Sequence, residues 1–126
     1  MRKKEEKMQV FHLLEKSIVD ALSELGFSKP TLPQKMAVPH VLAGENVLLI
    51  APTGSGKTEA VLLPVFSMML QRKNREGILV VYITPLRALN RDLLKRLHFW
   101  AVKLGMSIAV RHGKGKSCLP FLLKNN

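Results

Sequence analysis

The residues best suited to chemistry form a glycine-rich octapeptide, Ala51-Pro52-Thr53-Gly54-Ser55-Gly56-Lys57-Thr58. The apolar run at 47–50 precedes it, and a segment with helical periodicity at 59–70 follows it. A strand, a glycine-rich loop and a helix in this order are typical of a phosphate-binding loop. The sequence therefore predicts an anion site here, and a chance Gly/Ser turn between a strand and a helix is the alternative.

Each part of this loop has an expected role. Gly54 and Gly56 can adopt backbone angles closed to other residues, so successive N–H groups can face an anion. Lys57 would place its charge on the β- and γ-phosphates of a nucleotide, and the hydroxyl of Thr58 would ligate Mg²⁺. The helix that begins there adds its own N–H groups and dipole.

A second candidate is the amide of Gln34, near the start of a predicted helix. Thr31 is a suitable N-cap with Pro33 just inside the helix, which we expect to end near Leu42. A glutamine amide can pair with N6 and N7 of adenine. By itself, however, a glutamine at this position is more often a surface residue of the helix.

A third candidate follows the continuous apolar run at 78–83, which is typical of a strand covered on both faces. Thr84 can cap a helix that begins at Pro85, and the free N–H groups there favour a phosphate. Arg87 and Arg91 are four residues apart, so they share a helical face and could hold neighbouring phosphates. A capped helix with solvated arginines is the alternative.

The elements that must position these residues alternate along the chain. Helical periodicity predicts helices at 10–25, 31–42, 59–70 and 85–104, and short apolar runs predict strands at 47–50, 78–83 and 107–110. This alternation favours right-handed βαβ units. We expect an α/β fold with a parallel sheet of about three strands, flanking helices and preceding N-terminal helices, with ligands at the carboxyl ends of the strands.

The formal charge of +11 is concentrated in the second half of the chain. Residues 77–126 contain nine Lys/Arg against one acidic residue, Asp92. This asymmetry favours a polyanionic partner, most simply nucleic acid. A solvated basic face that keeps the protein soluble is the alternative.

The cysteine content and the distribution of apolar residues indicate the cellular compartment of the protein. The single cysteine, Cys118, excludes an internal disulfide and agrees with a reducing interior. No apolar run is long enough for a membrane span, and the charged N-terminus lacks the core of a secretory signal. We therefore predict a cytoplasmic protein without membrane association. His112 has no second ligand nearby that would make a metal site.

The octapeptide, with alanine in place of the usual first glycine, resembles the phosphate loop of superfamily 2 helicases. Upstream, Phe27, Pro30, Thr31 and Gln34 match the Gly-Phe-x-x-Pro-Thr-x-x-Gln motif that binds adenine in that family. The resemblance implies a RecA-like P-loop fold with ATP and Mg²⁺. Its ATP-binding set would comprise Phe11 as an upstream aromatic, Phe27, Gln34 and residues 51–58. Packing in the core is the alternative for Phe11.

The stretch Thr84-Pro85-Leu86-Arg87-Ala88-Leu89-Asn90 resembles motif Ia of the same superfamily and is most similar to archaeal Lhr-type (large helicase-related) proteins. The resemblance implies contact with a DNA or RNA strand. Contacts are expected from Thr84, Pro85, Leu86, Arg87, Asn90 and Arg91, and from Arg111, His112 and Gly113 after the third strand.

The resemblance covers residues 10–113, with a disordered lead-in at 1–9 and a divergent tail at 114–126. Residues 114–126 contain no Asp-Glu box, and the sequence has no second RecA-like domain. We therefore expect the N-terminal portion of a first RecA-like domain that does not hydrolyse ATP alone. A binding module or an inactive remnant is the alternative, and a P-loop kinase or transporter ATPase is disfavoured. Uncovered strand edges predict weak stability and self-association.

Overall fold

The computed structural model describes residues 10–27, 29–84, 91–110 and 119–125. The chain divides into two compact units, Met1–Arg72 and Lys73–Asn126. Helices form the described part of the N-terminal unit. The C-terminal unit combines one helix with a small sheet.

The N-terminal unit contains a short 3₁₀ helix, Phe11–Leu13, and three α-helices: α1 (Lys16–Glu24), α2 (Leu32–Leu42) and α3 (Lys57–Gln71). The single helix predicted at 10–25 is interrupted at Leu14, whose backbone is extended (φ −82°, ψ 162°). The carboxylate of Glu15 then caps α1 by accepting a hydrogen bond from the backbone N–H of Ser17 at 2.9 Å. A local capping interaction therefore sets where α1 begins.

All of these helices contribute to the core of the N-terminal unit. Its fully buried side chains include Phe11, Ile18, Leu22, Val38, Leu63 and Phe66. Burying one such side chain stabilises the fold by roughly 1.5–3 kcal/mol. Helix α3 alone has seven buried residues and continues through Pro64.

The strand predicted at 47–50 is not formed in this structure. Leu48 and Ile50 are 85% and 86% exposed, and Val47 is 41% exposed. A strand requires a neighbour to satisfy its backbone N–H and C=O groups. None of the strands assigned among the described residues pairs with this segment, so its apolar side chains stay in solvent.

The C-terminal unit contains β1 (Ile78–Thr84), α4 (Arg91–Leu104), β2 (Met106–Val110) and β3 (Leu119–Asn125). The strand order is β1-β3-β2, and β3 pairs antiparallel with both neighbours. Tyr82 lies opposite Phe121, and Ala109 lies opposite Leu122. The sheet of the described strands is therefore antiparallel, where a parallel one was expected.

The difference arises from the segment that supplies the central strand. Sequence analysis treated 114–126 as a divergent tail, but its apolar residues at 119 and 121–123 form most of β3. A strand placed between β1 and β2 pairs with both and keeps them apart. Because β2 and β3 are antiparallel neighbours, they do not form a βαβ unit, in which the two strands are parallel.

Among the described side chains of this unit, the buried ones lie on one face of α4, at the end of β1 and at the start of β2, where Met106 is 6% exposed. Leu93, Leu97, Trp100, Ala101 and Leu104 are buried along α4. Along β1, burial is complete only at Thr84, which is 5% exposed, whereas Ile78 and Ile83 are 57% and 65% exposed. The prediction that this strand is covered on both faces is not met in this structure.

Two further absences concern the described residues alone. None of their helices is both long and apolar enough to cross a membrane. In the same ranges, no three His, Cys, Asp or Glu side chains cluster in a way that could hold a metal ion.

Candidate nucleotide-binding site

The glycine-rich loop leads directly into α3, as the sequence predicted. Gly54 and Gly56 have φ angles of +79° and +80°, in the left-handed region that favours glycine. The backbone N–H and the hydroxyl of Ser55 both donate to the carbonyl oxygen of Pro52, at 3.3 and 2.6 Å. These bonds close a tight turn immediately before the first residue of the helix, Lys57.

The N-terminus of α3 is well suited to an anion. Its N-cap is Gly56, which has no side chain that could accept hydrogen bonds from the first-turn N–H groups. Lys57 and Thr58 are the first two helical residues, and both are half-buried. The helix start therefore has no side-chain cap, and it combines the positive end of the helix dipole with the ammonium group of Lys57 and the hydroxyl of Thr58.

Gln34 connects the start of α2 to this loop. Its side chain is 6% exposed. The Oε1 atom accepts a hydrogen bond from the backbone N–H of Thr31 at 2.9 Å, and Nε2 donates to the carbonyl oxygen of Gly56 at 3.3 Å. An amide has two donor hydrogens and two acceptor lone pairs, so one of each remains beyond these contacts.

The close contact with Gln34 is a second reason why position 56 requires glycine. A Cβ atom at this position would lie 2.6 Å from Gln34 Nε2 and 3.1 Å from Thr31 Oγ1. The packing of Thr31 and Gln34 against the loop was not predicted from the sequence. The pattern Thr-x-x-Gln at a helix start indicates a capping box, which the structure contains, but it does not indicate the contact with Gly56.

The two aromatic residues assigned to ATP binding have different surroundings. Phe27 follows the end of α1 and is 48% exposed, with its backbone N–H bonded to the Leu22 carbonyl at 2.9 Å. Phe11 is 1% exposed in the core of the N-terminal unit. The structure thus places Phe11 in the core packing that the sequence left open as its alternative.

The predicted nucleic-acid contacts are only partly described. Thr84 is the buried last residue of β1, and Arg91 is the exposed first residue of α4. The Arg87–Arg91 pairing therefore stays a prediction. The residues outside the described ranges are Pro85, Leu86, Arg87, Asn90, Arg111, His112 and Gly113.

The electrostatics of the C-terminal unit include one perturbed side chain. Burial raises the pKa of Tyr82 above its ordinary value of 10.0, and the nearby positive charge of Arg96 partly opposes this effect. The phenol is thus held in its neutral form in the folded protein.

Comparisons of the sequence with known proteins identify a family. Residues 31–119 match the DEAD/DEAH box helicase family. Human "Probable ATP-dependent RNA helicase DDX46" is 34% identical over 99 residues, which are 76% of this chain and 10% of that protein. "ATP-dependent RNA helicase DBP9" of Coccidioides immitis is 40% identical over 89 residues, which are 68% of this chain and 14% of that protein. No solved structure gives a significant match.

A third relative, "Pre-mRNA-processing ATP-dependent RNA helicase prp5" of Sclerotinia sclerotiorum, is 34% identical over 98 residues, which are 75% of this chain and 9% of that protein. The chain spans about a tenth of the length of these curated relatives. The family match includes Gln34, the loop at 51–58 and the stretch at 84–91. The chain therefore belongs to the DEAD/DEAH box helicase family, whose domains have an α/β, RecA-like fold.

Proposed function

We propose that this chain is the ATP-binding part of an ATP-dependent RNA helicase, and that it binds ATP with Mg²⁺ at the loop of residues 51–58. One observation carries this proposal. Helix α3 begins at Lys57 directly behind Gly56, whose left-handed backbone and lack of a side chain leave the first-turn donors available to phosphate oxygens. The relatives reported above are named as RNA helicases, which supports RNA as the nucleic acid.

In this proposal each loop residue has a distinct task. The backbone N–H groups around Gly54 and Gly56 hold the phosphates, and Lys57 neutralises the charge of the β- and γ-phosphates. Thr58 offers its hydroxyl to Mg²⁺, and a hydroxyl oxygen suits this hard cation. When bound, the ion supplies neutralisation of phosphate charge.

The adenine end of the nucleotide is assigned to Phe27 and Gln34. Support comes from the exposed ring of Phe27 and from the contact of Gln34 with Gly56, which ties the adenine-binding motif to the phosphate loop. The free donor and lone pair of the Gln34 amide can serve N7 and N6 of adenine. Phe11 as the upstream stacking aromatic stays a prediction that would require the ring to leave the core.

We also propose that in the whole protein residues 47–50 and β1 belong to a parallel RecA-like sheet. The support is the exposure of Leu48, Ile50 and Ile83, whose apolar side chains lack cover in this structure. The predicted contacts of 84–91 and 111–113 with a nucleic-acid strand are part of the same proposal. The finer likeness to Lhr-type proteins and the cytoplasmic location stay predictions from the sequence.

Hydrolysis of ATP coupled to RNA unwinding is proposed for the whole protein. For residues 1–126 alone, nucleotide binding without turnover is the second candidate. It is favoured because the described carboxylates nearest the loop in sequence are Glu45, which follows a turn, and Glu59, which lies on α3, and neither belongs to an acidic box that would hold Mg²⁺ in P-loop enzymes.

Thermal unfolding with and without Mg-ADP tests the proposal. A ligand at about 100 times its dissociation constant stabilises the folded state by roughly 2.7 kcal/mol, so the melting temperature should rise clearly. Lys57→Ala should abolish most of that rise, and removing Mg²⁺ with EDTA should reduce it. Lys16→Ala, an exposed lysine on α1, is the matched control and should respond like the wild type. An unchanged melting temperature, or an equal rise in Lys57→Ala, would contradict nucleotide binding at this loop.

A further inference from the structure

The outer face of α4 presents a row of basic side chains. Arg91, Lys95 and His98 are spaced by four and three residues, so they lie one above another on the same side of the helix. All three are exposed, whereas Leu97 and Trp100 are buried on the opposite side. We refer to Arg91, Lys95 and His98 as the basic row.

Nothing in the described residues neutralises the basic row. The three side chains take part in no hydrogen bond or ion pair with any other described residue. Asp92, the one acidic residue of 77–126, lies about 100° around the helix from Arg91. The row is therefore a local concentration of positive charge on a unit that is already strongly basic.

A recess lies beside the basic row, between α4 and β2. Its volume is about 350 Å³, and it is lined by Leu94, Lys95, His98 and Ile108. Leu94 and Ile108 make part of its wall apolar, while Lys95 and His98 belong both to the recess and to the row. A recess with an apolar wall next to cations suits a base that is joined to a phosphate backbone.

We propose that this surface binds a single-stranded nucleic-acid segment, with phosphates on Arg91 and Lys95 and a base in the recess against the His98 ring. From Arg91 to Lys95 the helix rises about 6 Å, so the two cations can contact neighbouring phosphates of one strand. The proposal rests on the proposed function for the class of ligand. It extends the predicted contact at 84–91 along α4 to residues that sequence analysis did not assign.

The test measures binding of a short, fluorescein-labelled oligouridylate to the full 126-residue chain by fluorescence anisotropy, without nucleotide. Lys95→Glu should weaken binding and lower the slope of log affinity against log salt by about 0.7, measured from about 50 to 200 mM salt. Lys103→Glu changes charge equally on the same helix but on another face, and should leave that slope unchanged. Equal losses in both variants would overturn the basic row as the site.

The recess is tested by two variants of His98. His98→Ala should weaken oligouridylate binding about fivefold or more without changing the salt slope, because base stacking is insensitive to salt. His98→Phe keeps a flat ring and should retain most of the affinity. Equal weakening by both variants, or by neither, would overturn the base site.

Two controls distinguish loss of RNA binding from loss of folding or of nucleotide binding. Circular dichroism and thermal unfolding of each variant establish that it folds, and the Mg-ADP stabilisation should persist in Lys95→Glu and His98→Ala. Nucleotide stabilisation with no RNA binding by the wild type would overturn the α4 site and leave the nucleotide site intact. That result would be expected if a protein segment covers the face instead.

Discussion

The side-chain amide of Gln34 donates to the carbonyl oxygen of Gly56 across 3.3 Å, while its own oxygen accepts the backbone N–H of Thr31 at 2.9 Å. One side chain thus joins the first turn of α2 to the residue that precedes α3. A position of the motif that is proposed to bind adenine is therefore in direct contact with the glycine-rich loop. Any movement of Gln34 towards a nucleotide would change its hydrogen bond with Gly56, the N-cap of α3.

Replacing Gln34 should cost stability as well as nucleotide affinity. Gln34→Ala leaves the Thr31 N–H without its side-chain partner and removes one bond to Gly56, which should lower the free energy of unfolding by about 1–3 kcal/mol. Lys35→Ala, at the neighbouring exposed position, should change it by less than about 0.5 kcal/mol. Urea denaturation of both variants checks this, and equal effects would show that the Gln34 contacts are energetically unimportant.

The two loop glycines should differ in their tolerance of alanine. Gly54→Ala introduces only backbone strain, because no atom lies within 4 Å of its added Cβ, and should cost about 1–2 kcal/mol. Gly56→Ala adds a collision at 2.6 Å with Gln34 Nε2 and should cost more. Urea denaturation of the two variants measures the difference.

A double variant separates strain from collision at Gly56. In Gly56→Ala/Gln34→Ala the colliding amide is gone, so the combined cost should be smaller than the sum of the two single costs. Strict additivity would mean that Gln34 moves aside freely in the Gly56→Ala protein, and that backbone strain and the contact with Thr31 limit this position.

Ser67 provides a similar test in the core of the N-terminal unit. Its hydroxyl is fully buried and accepts the backbone N–H of Glu15 at 2.8 Å, next to the start of α1. Ser67→Ala should lower the free energy of unfolding by about 1–3 kcal/mol, because it leaves a part-buried N–H unsatisfied. Ser23→Ala removes an exposed hydroxyl that donates to the Val19 carbonyl at 3.1 Å, and should be nearly neutral. Comparable unfolding midpoints for the two variants would contradict this account.

The raised pKa of Tyr82 should make the stability of the C-terminal unit sensitive to alkaline pH. Burial raises its pKa above 10.0, against the smaller opposing effect of Arg96. A raised folded-state pKa contributes stability that is complete below the unfolded value and is lost as pH rises through the folded value. Ionisation of Tyr82 should therefore not affect the free energy of unfolding at neutral pH. It should lower that free energy above about pH 10.

The matched variant is Tyr82→Phe, which cannot ionise. Lysines also titrate in this range, so both proteins should lose stability, but the wild type should lose more. Urea denaturation at about pH 8 and about pH 11 gives the comparison. Parallel losses in the two proteins would show that Tyr82 is no more difficult to ionise when folded than when unfolded.

Local patterns account for what the sequence predicted correctly. The start of α3 at Lys57 follows from glycines and a Lys-Thr pair that encode both a turn and a helix N-terminus. The start of α2 follows from a capping box of Thr31 and Gln34. Short apolar runs also predicted the strands at 78–84 and 106–110 to within a residue.

The features that the sequence did not predict correctly depend on contacts with residues distant in the chain. Whether residues 47–50 become a strand depends on a neighbour that no local pattern specifies, and in this structure they stay exposed. The same holds for 119–125, whose apolar residues gave no sign that they would pair with both β1 and β2. The Gln34–Gly56 bond also spans 22 positions, so its cap was readable from sequence but its contact with the loop was not.

The exposed apolar segment before the loop predicts self-association. Leu48 and Ile50 are 85% and 86% exposed on a segment without assigned strand partners, and unpaired apolar segments of this kind tend to pair with another copy. Leu48→Lys/Ile50→Lys should shift the protein towards monomer in sedimentation velocity. Leu32→Lys, at an exposed apolar position on α2, should leave the distribution unchanged. If the wild type is already monomeric at high concentration, or if Leu32→Lys disperses it equally, residues 47–50 are not the site of association.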